Sequence, residues 1–162
     1  MKERLLALAR RIREELTELE PLIQRTQEAW HRAQRSSDDF YLDSVALSLH
    51  GFYVGLERLF ALVNSHIDRT EPGGANWHQT LLRQMAAEIP HVRPAVISSE
   101  SYELLDEYRG FRHVVRNVYT FHFDPARIKR LVEQAPVVFN RVRPELAAFA
   151  DFLQEQGETQ GE

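Results

Sequence analysis

The chain of 162 residues contains no cysteine, which excludes disulfides and thiolate metal sites outright and permits a reducing compartment. No Gly-rich phosphate loop is present either, because Gly73-Gly74 has neither the lysine nor the strand context. His50, His66, His78 and His91 with Glu57 and Asp68 supply metal-binding residue types, but no HExxH and no paired ExxH spacing organises them. Neither a metal nor a cofactor is therefore expected. The order and spacing of Ser, His and Asp make no case for a nucleophilic triad. No apolar run approaches the ~18 residues of a membrane span. The N-terminus, MKERLLALARRIREEL, is interrupted by Arg and Glu too often for a signal peptide. These absences point to a soluble, cytoplasmic protein with no membrane partner. A net charge of −4 also argues against coating nucleic acid with the whole surface, so any polyanion must be held by a local patch.

What is present is helical. Leu5, Leu8, Ile12, Leu16, Leu19 and Ile23 recur at intervals of three and four, with Arg, Lys and Glu between them. Pro21 is expected to kink or split that first helix. After the polar turn at Arg35 to Asp39, with Ser37 or Asp38 as N-cap, a second helix over about 39–68 carries Val45, Leu49, Phe52, Leu56, Leu59, Val63 and Ile67. Gly51 and Gly55 leave one of its faces bare, which suits close approach by another backbone and contributes to the expectation of a dimer. A loop at Glu71-Pro72-Gly73-Gly74 leads to a short helix over about 76–88, with Trp77, Leu81, Leu82 and Met85 inward. His78 reads as a surface residue at the start of that helix, and Trp77 as core. Ile89-Pro90 to Pro94 reads as an extended connector. Ser98 or Ser99 caps the next helix, and Asp124-Pro125 opens the last one, in which Pro136 and Pro144 are expected to bend or divide the chain. The fold class is all-α, a bundle of four to five main helices in one domain over 1–156, with 157–162 as a flexible tail.

The most informative stretch is YRGFRHVVRNVYTFHFD, from Tyr108 to Asp124. At about 100° per residue, Leu104, Tyr108, Phe111, Val115 and Val118 share one helical face. Arg109, Arg112, His113, Arg116 and Thr120 fall on a second stripe, roughly 130° away. Positive charge is thus concentrated locally in a chain that is negative overall. A helix end before Asp124 would let His122 fold back toward Arg116. Arginine orients a phosphate with its planar fork, histidine moves protons near neutral pH, and Asn117 is placed to assist, so the set suits metal-free cleavage of RNA. The alternative is a solvated charged face with a histidine at a helix C-terminus.

Residues 116–122, RNVYTFH, match the R-x(4–6)-H motif of the HEPN superfamily. The wider run LDEYRGFRHVVRNVYTFHFD, with NWHQTLLRQM and HVRPAVIS before it, resembles HepT-like ribonuclease toxins. The resemblance implies a HEPN-like helical bundle that pairs as a homodimer, two copies of the motif lining one cleft. It also implies a metal-independent endoribonuclease acting on RNA beside a nucleotidyltransferase-type antitoxin. Carried over, Arg116 would hold the scissile phosphate, Asn117 would assist and His122 would transfer protons. A 2′,3′-cyclic phosphate would result. His113 is the rival histidine, with Arg109, Arg112 and Tyr119 available for phosphate or RNA contacts. One departure stands out: Asp124 occupies the position where HepT toxins carry the tyrosine that their antitoxin modifies. A non-catalytic module of the same fold, docking a nucleotidyltransferase or a nucleotide, is the alternative function, and a purely structural helical adaptor is a third.

Overall fold

The computed structural model describes residues 1–36, 38, 40–117 and 123–160. They form α1 (Lys2–Arg35), α2 (Phe40–Val63) continued by a π-helical turn (Asn64–Asp68), α3 (Trp77–Met85), α4 (Ser99–Asn117) and α5 (Pro125–Thr159). Among the described residues the only β-type pairing is an isolated antiparallel bridge between Ile89 and Arg93. The all-α bundle expected from periodicity is the fold observed.

Two long helices, α1 and α5, pack along each other, and α2 lies against α1. The shorter α3 and α4 pack on α2 and on one another. The apolar positions that define α1, from Leu5 through Ile23, are all buried, as are Val45, Leu49, Phe52, Leu56, Leu59 and Val63 of α2. Each such side chain contributes about 1.5–3 kcal/mol on burial. The segment Phe40–Asp68 is long and apolar enough to cross a membrane by length and composition, more than the run-length reading allowed, and 61% of its apolar 18-residue stretch is buried in the bundle.

Neither α1 nor α5 is divided at its prolines, so the division offered beside a kink or bend at Pro21, Pro136 and Pro144 does not occur. Pro21 and Pro144 are exposed, so the carbonyl that each leaves without a donor lies toward water. Burial of Leu131, Val132, Ala135, Val138, Phe139 and Val142 along one stripe holds α5 together through Pro136. The same helix continues to Thr159, beyond the proposed boundary at 156/157, and Gly157 packs there against Leu6.

The bare glycine face of α2 is occupied from within the chain. A Cβ on Gly55 would lie 2.9 Å from Glu15 Oε1 and 3.1 Å from Leu19 Cδ2, both on α1. At Gly51 the nearest atom, Leu22 Cδ2, would be 3.7 Å away, an ordinary contact. Gly55 therefore accommodates α1, and this face is not a surface for a second copy.

Side chains fix the helix starts. The Phe40 amide donates to Asp38 Oδ1 at 3.0 Å, making Asp38 the cap of α2, while Ser37 lies outside the described residues. Asp124 Oδ1 accepts from the Ala126 amide at 3.0 Å at the head of α5. Ser98 Oγ accepts from the Ser101 amide at 3.1 Å at the head of α4. From α5, Glu145 accepts from both Ser98 Oγ and Ser101 Oγ at 2.6 Å, bringing a carboxylate to the positive end of α4.

The connector after α3 is a tight turn rather than an extended strap. Arg93 Nε and Nη2 donate to the two oxygens of Asp68 at 2.6 and 2.9 Å, with both side chains fully buried. Its Nη1 donates to the Ala87 carbonyl at 2.9 Å and the Pro94 carbonyl at 3.0 Å. One guanidinium thus ties the end of the π-helical turn to the segment leading into α4.

Candidate functional site

Three buried residues set the rotation of α4. Leu105, Tyr108 and Phe111 enter the core, and the Tyr108 hydroxyl donates to the Leu131 carbonyl of α5 at 2.6 Å. Leu104 and Val115 are only partly buried, and Val118 lies outside the described residues. With that face inward, Arg109, Arg112 and Arg116 follow one another by three and four residues along the neighbouring stripe.

The cations of the stripe are not equivalent. Arg109 Nε donates to Asp106 Oδ1 of the same helix at 2.7 Å. Arg112 reaches across to α2 and α3, where its Nη1 lies 3.4 Å from His78 Nε2 and its Nε lies 3.5 Å from Glu57 Oε1. His78 Nδ1 is 2.9 Å from Glu57 Oε2. One tautomer satisfies this chain: Nδ1–H donates to the carboxylate, and Nε2 accepts from the guanidinium. Exposure grades across the three side chains, from 8% for Glu57 and 12% for Arg112 to 23% for His78. The His78 ring lies over Trp77, with centroids 3.4 Å apart and planes tilted by 31°.

Local helix geometry explains the assembly. His50, Tyr53 and Glu57 are three and four residues apart and share one face of α2. His78 occupies the first turn of α3, and Arg112 and Arg116 are separated by one turn of α4. Burial, and then the nearby Arg112 and Arg116 charges, hold the His50 imidazole below its ordinary range, with Glu57 opposing the shift. His50 is therefore neutral at pH 7. Burial pushes the Tyr53 hydroxyl well above its usual range, and the Glu57 carboxylate adds to the effect. The hydroxyl of Tyr53, Nδ1 of His50 and Nε of Arg112 are buried without a hydrogen-bond partner among the described residues.

Of the residues singled out in the sequence, His113 and Arg116 are exposed near the end of α4. Asn117 is the last residue of that helix, and its side chain is not among those described. Tyr119, Thr120 and His122 lie outside the described residues, and so does the expected approach of His122 to Arg116. His78 is no plain surface residue, since it joins Glu57 and Arg112 in one polar cluster. The signal for this was a glutamate at a core-facing register of the most apolar helix, three residues before Phe60 and four after Tyr53. Asp68, grouped by sequence with the histidines, belongs to Arg93 instead. Among the described residues, no group of three or more His, Asp or Glu side chains is arranged to hold a metal ion.

This cluster contains a phosphate-type cation, an imidazole and a carboxylate that orients the imidazole. Such a set can bind an anion and move a proton beside it. A family model described as HepT-like protein matches residues 44–153, a span that includes Glu57, His78, Arg112 and Arg116. No curated protein and no solved structure matches the chain. The five-helix frame and this match together identify the chain as a member of the HepT-like family of the HEPN superfamily.

Proposed function

We propose that this HepT-like protein is a metal-independent endoribonuclease, the toxin of a pair whose antitoxin is a nucleotidyltransferase. The observation that carries the reading is Arg116, exposed near the end of α4 one turn beyond an anchored Arg112, in a chain of this family. Arg116 holds the scissile phosphate, Asn117 assists, and His122 serves in proton transfer, with His113 as the rival imidazole. Attack by the 2′-hydroxyl leaves a 2′,3′-cyclic phosphate. Arg109, Arg112 and Tyr119 flank the phosphate as further contacts.

The protein acts in the cytoplasm as a homodimer in which two copies of the Arg116–His122 segment line one cleft. Because Gly51 and Gly55 face α1, support for the dimer comes from the outward side of α2, where Phe40 is 80% and Leu47 66% exposed. Asp124 caps α5 and has no phenol to modify, so neutralisation by the antitoxin takes another route.

A second reading, a non-catalytic module that docks a nucleotidyltransferase or a nucleotide, is favoured by one observation. Arg109 and Arg112 are engaged by Asp106 and Glu57, which lowers the charge left for a polyanion. The deciding experiment is RNA cleavage by purified protein in excess EDTA, with Arg116→Ala, His122→Ala and His113→Ala in parallel. Loss in Arg116→Ala and in one histidine variant supports the enzyme and names its histidine. A folded wild-type dimer that cuts no RNA favours the module.

A further inference from the structure

The outward face of α2 carries an apolar stripe that the bundle leaves largely uncovered. Phe40, Leu47, Val54 and Ala61 stand seven residues apart, and a seven-residue interval drifts only about 20° around a helix. Phe40 is 80% and Leu47 66% exposed, Ala61 is exposed and Val54 is half-buried. Two charges share this face, Asp43 near its start and Arg58 near its end. Neither has an ion pair or a side-chain hydrogen bond among the described residues. At 1.5 Å per residue they are about 22 Å apart, too far to meet within one chain. At the far end of the stripe, Ala61 and Leu62 line a cleft of about 550 Å³ together with Pro72, Trp77, Leu81 and Arg58.

We propose that a second copy of the chain docks antiparallel on this stripe, so that each Phe40 enters the cleft beside the partner's Ala61 and each Asp43 pairs with the partner's Arg58. The proposal rests on the homodimer of the reading above and gives it a surface and a register. A two-fold interface is isologous, so a contact from residue i to residue j is repeated from j to i. Pairing Phe40 with Ala61, Asp43 with Arg58 and Leu47 with Val54 obeys one register, because the midpoint of every pair falls between His50 and Gly51. The parallel alternative sets Asp43 against Asp43 and Arg58 against Arg58, two like-charge contacts with no opposite charge to relieve them. Phe40 supplies an aromatic anchor and the cleft its pocket, the arrangement that concentrates binding energy at an interface.

The antiparallel register also fixes where the two α4 helices stand. Its two-fold axis runs across both α2 helices within the contact plane, so what flanks α2 on one side in one copy lies on that same side in the other. His50, at the level of the axis, is close enough to Arg112 and Arg116 for their charges to act on it. Both copies of Arg116 are therefore brought to one side of the seam, near its midpoint. A single chain offers a phosphate one Arg116 at the end of α4, and the docked pair offers two across the axis.

The test uses the full chain, in sedimentation equilibrium and in disulfide cross-linking, which the absence of native cysteine keeps clean. Phe40→Asp should raise the dimer Kd about 30-fold or more and keep the helical circular dichroism, since this side chain lies outside the core. Asp43→Arg and Arg58→Asp should each weaken the dimer, and the two together should restore it. Leu47→Cys and Val54→Cys in one chain should give a covalent dimer on oxidation, whereas either alone should not. Within a chain those two positions are about 10 Å apart, beyond the reach of a disulfide. A covalent dimer from Leu47→Cys alone overturns the antiparallel register. A wild-type dimer whose Kd moves by less than about three-fold in Phe40→Asp overturns this surface and leaves the homodimer standing on another. A wild type that is monomeric at every concentration tested overturns both.

Discussion

The Glu57 carboxylate of α2 stands 2.9 Å from Nδ1 of His78 on α3 and 3.5 Å from Nε of Arg112 on α4. A single side chain, 8% exposed, thereby links the three helices that surround the candidate site. Carboxylates are almost never placed in such a position without cationic or hydrogen-bonding partners, because desolvation of the charge costs several kcal/mol. Both partners come from segments distant in sequence, so the position of Arg112 depends on the packing of α2 and α3.

Two buried tyrosines should respond oppositely to loss of the hydroxyl. Tyr108→Phe removes a 2.6 Å hydrogen bond to the Leu131 carbonyl and should cost about 1–2 kcal/mol. Tyr53→Phe removes a buried hydroxyl that has no partner among the described residues, and should leave stability unchanged or raised by up to about 1 kcal/mol. Urea unfolding of both variants checks the pair; an equal loss in the two would refute the assignment.

The glycines of α2 should also separate. Gly51→Ala places its methyl in ordinary contact with Leu22 and should stabilise by about 0.5–1 kcal/mol through helix propensity. Gly55→Ala presses on Leu19 and the Glu15 carboxylate, so overpacking should offset that gain or exceed it. Thermal melts of the two variants measure the difference directly.

Arg93→Ala should be among the most damaging single changes outside the apolar core. It leaves the fully buried Asp68 without its guanidinium, at a cost of about 3–5 kcal/mol. Differential scanning calorimetry should register a large fall in Tm. A melt close to wild type would mean that the turn after α3 is held by other contacts.

Acid should weaken the fold in part through His50. Its pKa in the folded protein lies below the ordinary 6.5, so in the window below 6.5 the unfolded chain binds more protons than the folded one. Stability is therefore complete above that value and falls as pH drops through it toward the folded-state pKa. His50→Gln should flatten this part of the Tm profile between about pH 7 and 5. An unchanged slope would assign the acid sensitivity to other groups.

Much of the architecture could be read directly because helical amphipathicity is local. Spacings of three and four marked the buried faces of α1, α2 and α5, and Asp38, Ser98 and Asp124 were identifiable as caps by residue type and position. A proline penalty is also local and left bending and division both open, whereas the packing that keeps α1 and α5 undivided through Pro21, Pro136 and Pro144 is spread along both helices. Gly51 and Gly55 announced a close approach without naming the partner, which is α1 of the same chain.

The sequence by itself determined the helical class, the basic stripe on α4 and the motif from Arg116 to His122, since each is a matter of residue type and short-range spacing. Only the tertiary structure decided which charges the stripe retains and which histidine meets a carboxylate. Glu57, His78 and Arg112 are separated by more than twenty residues at each step, and periodicity carries no information across such gaps. Their meeting depends on how α2, α3 and α4 pack, and burial of apolar surface is the dominant force that sets that geometry.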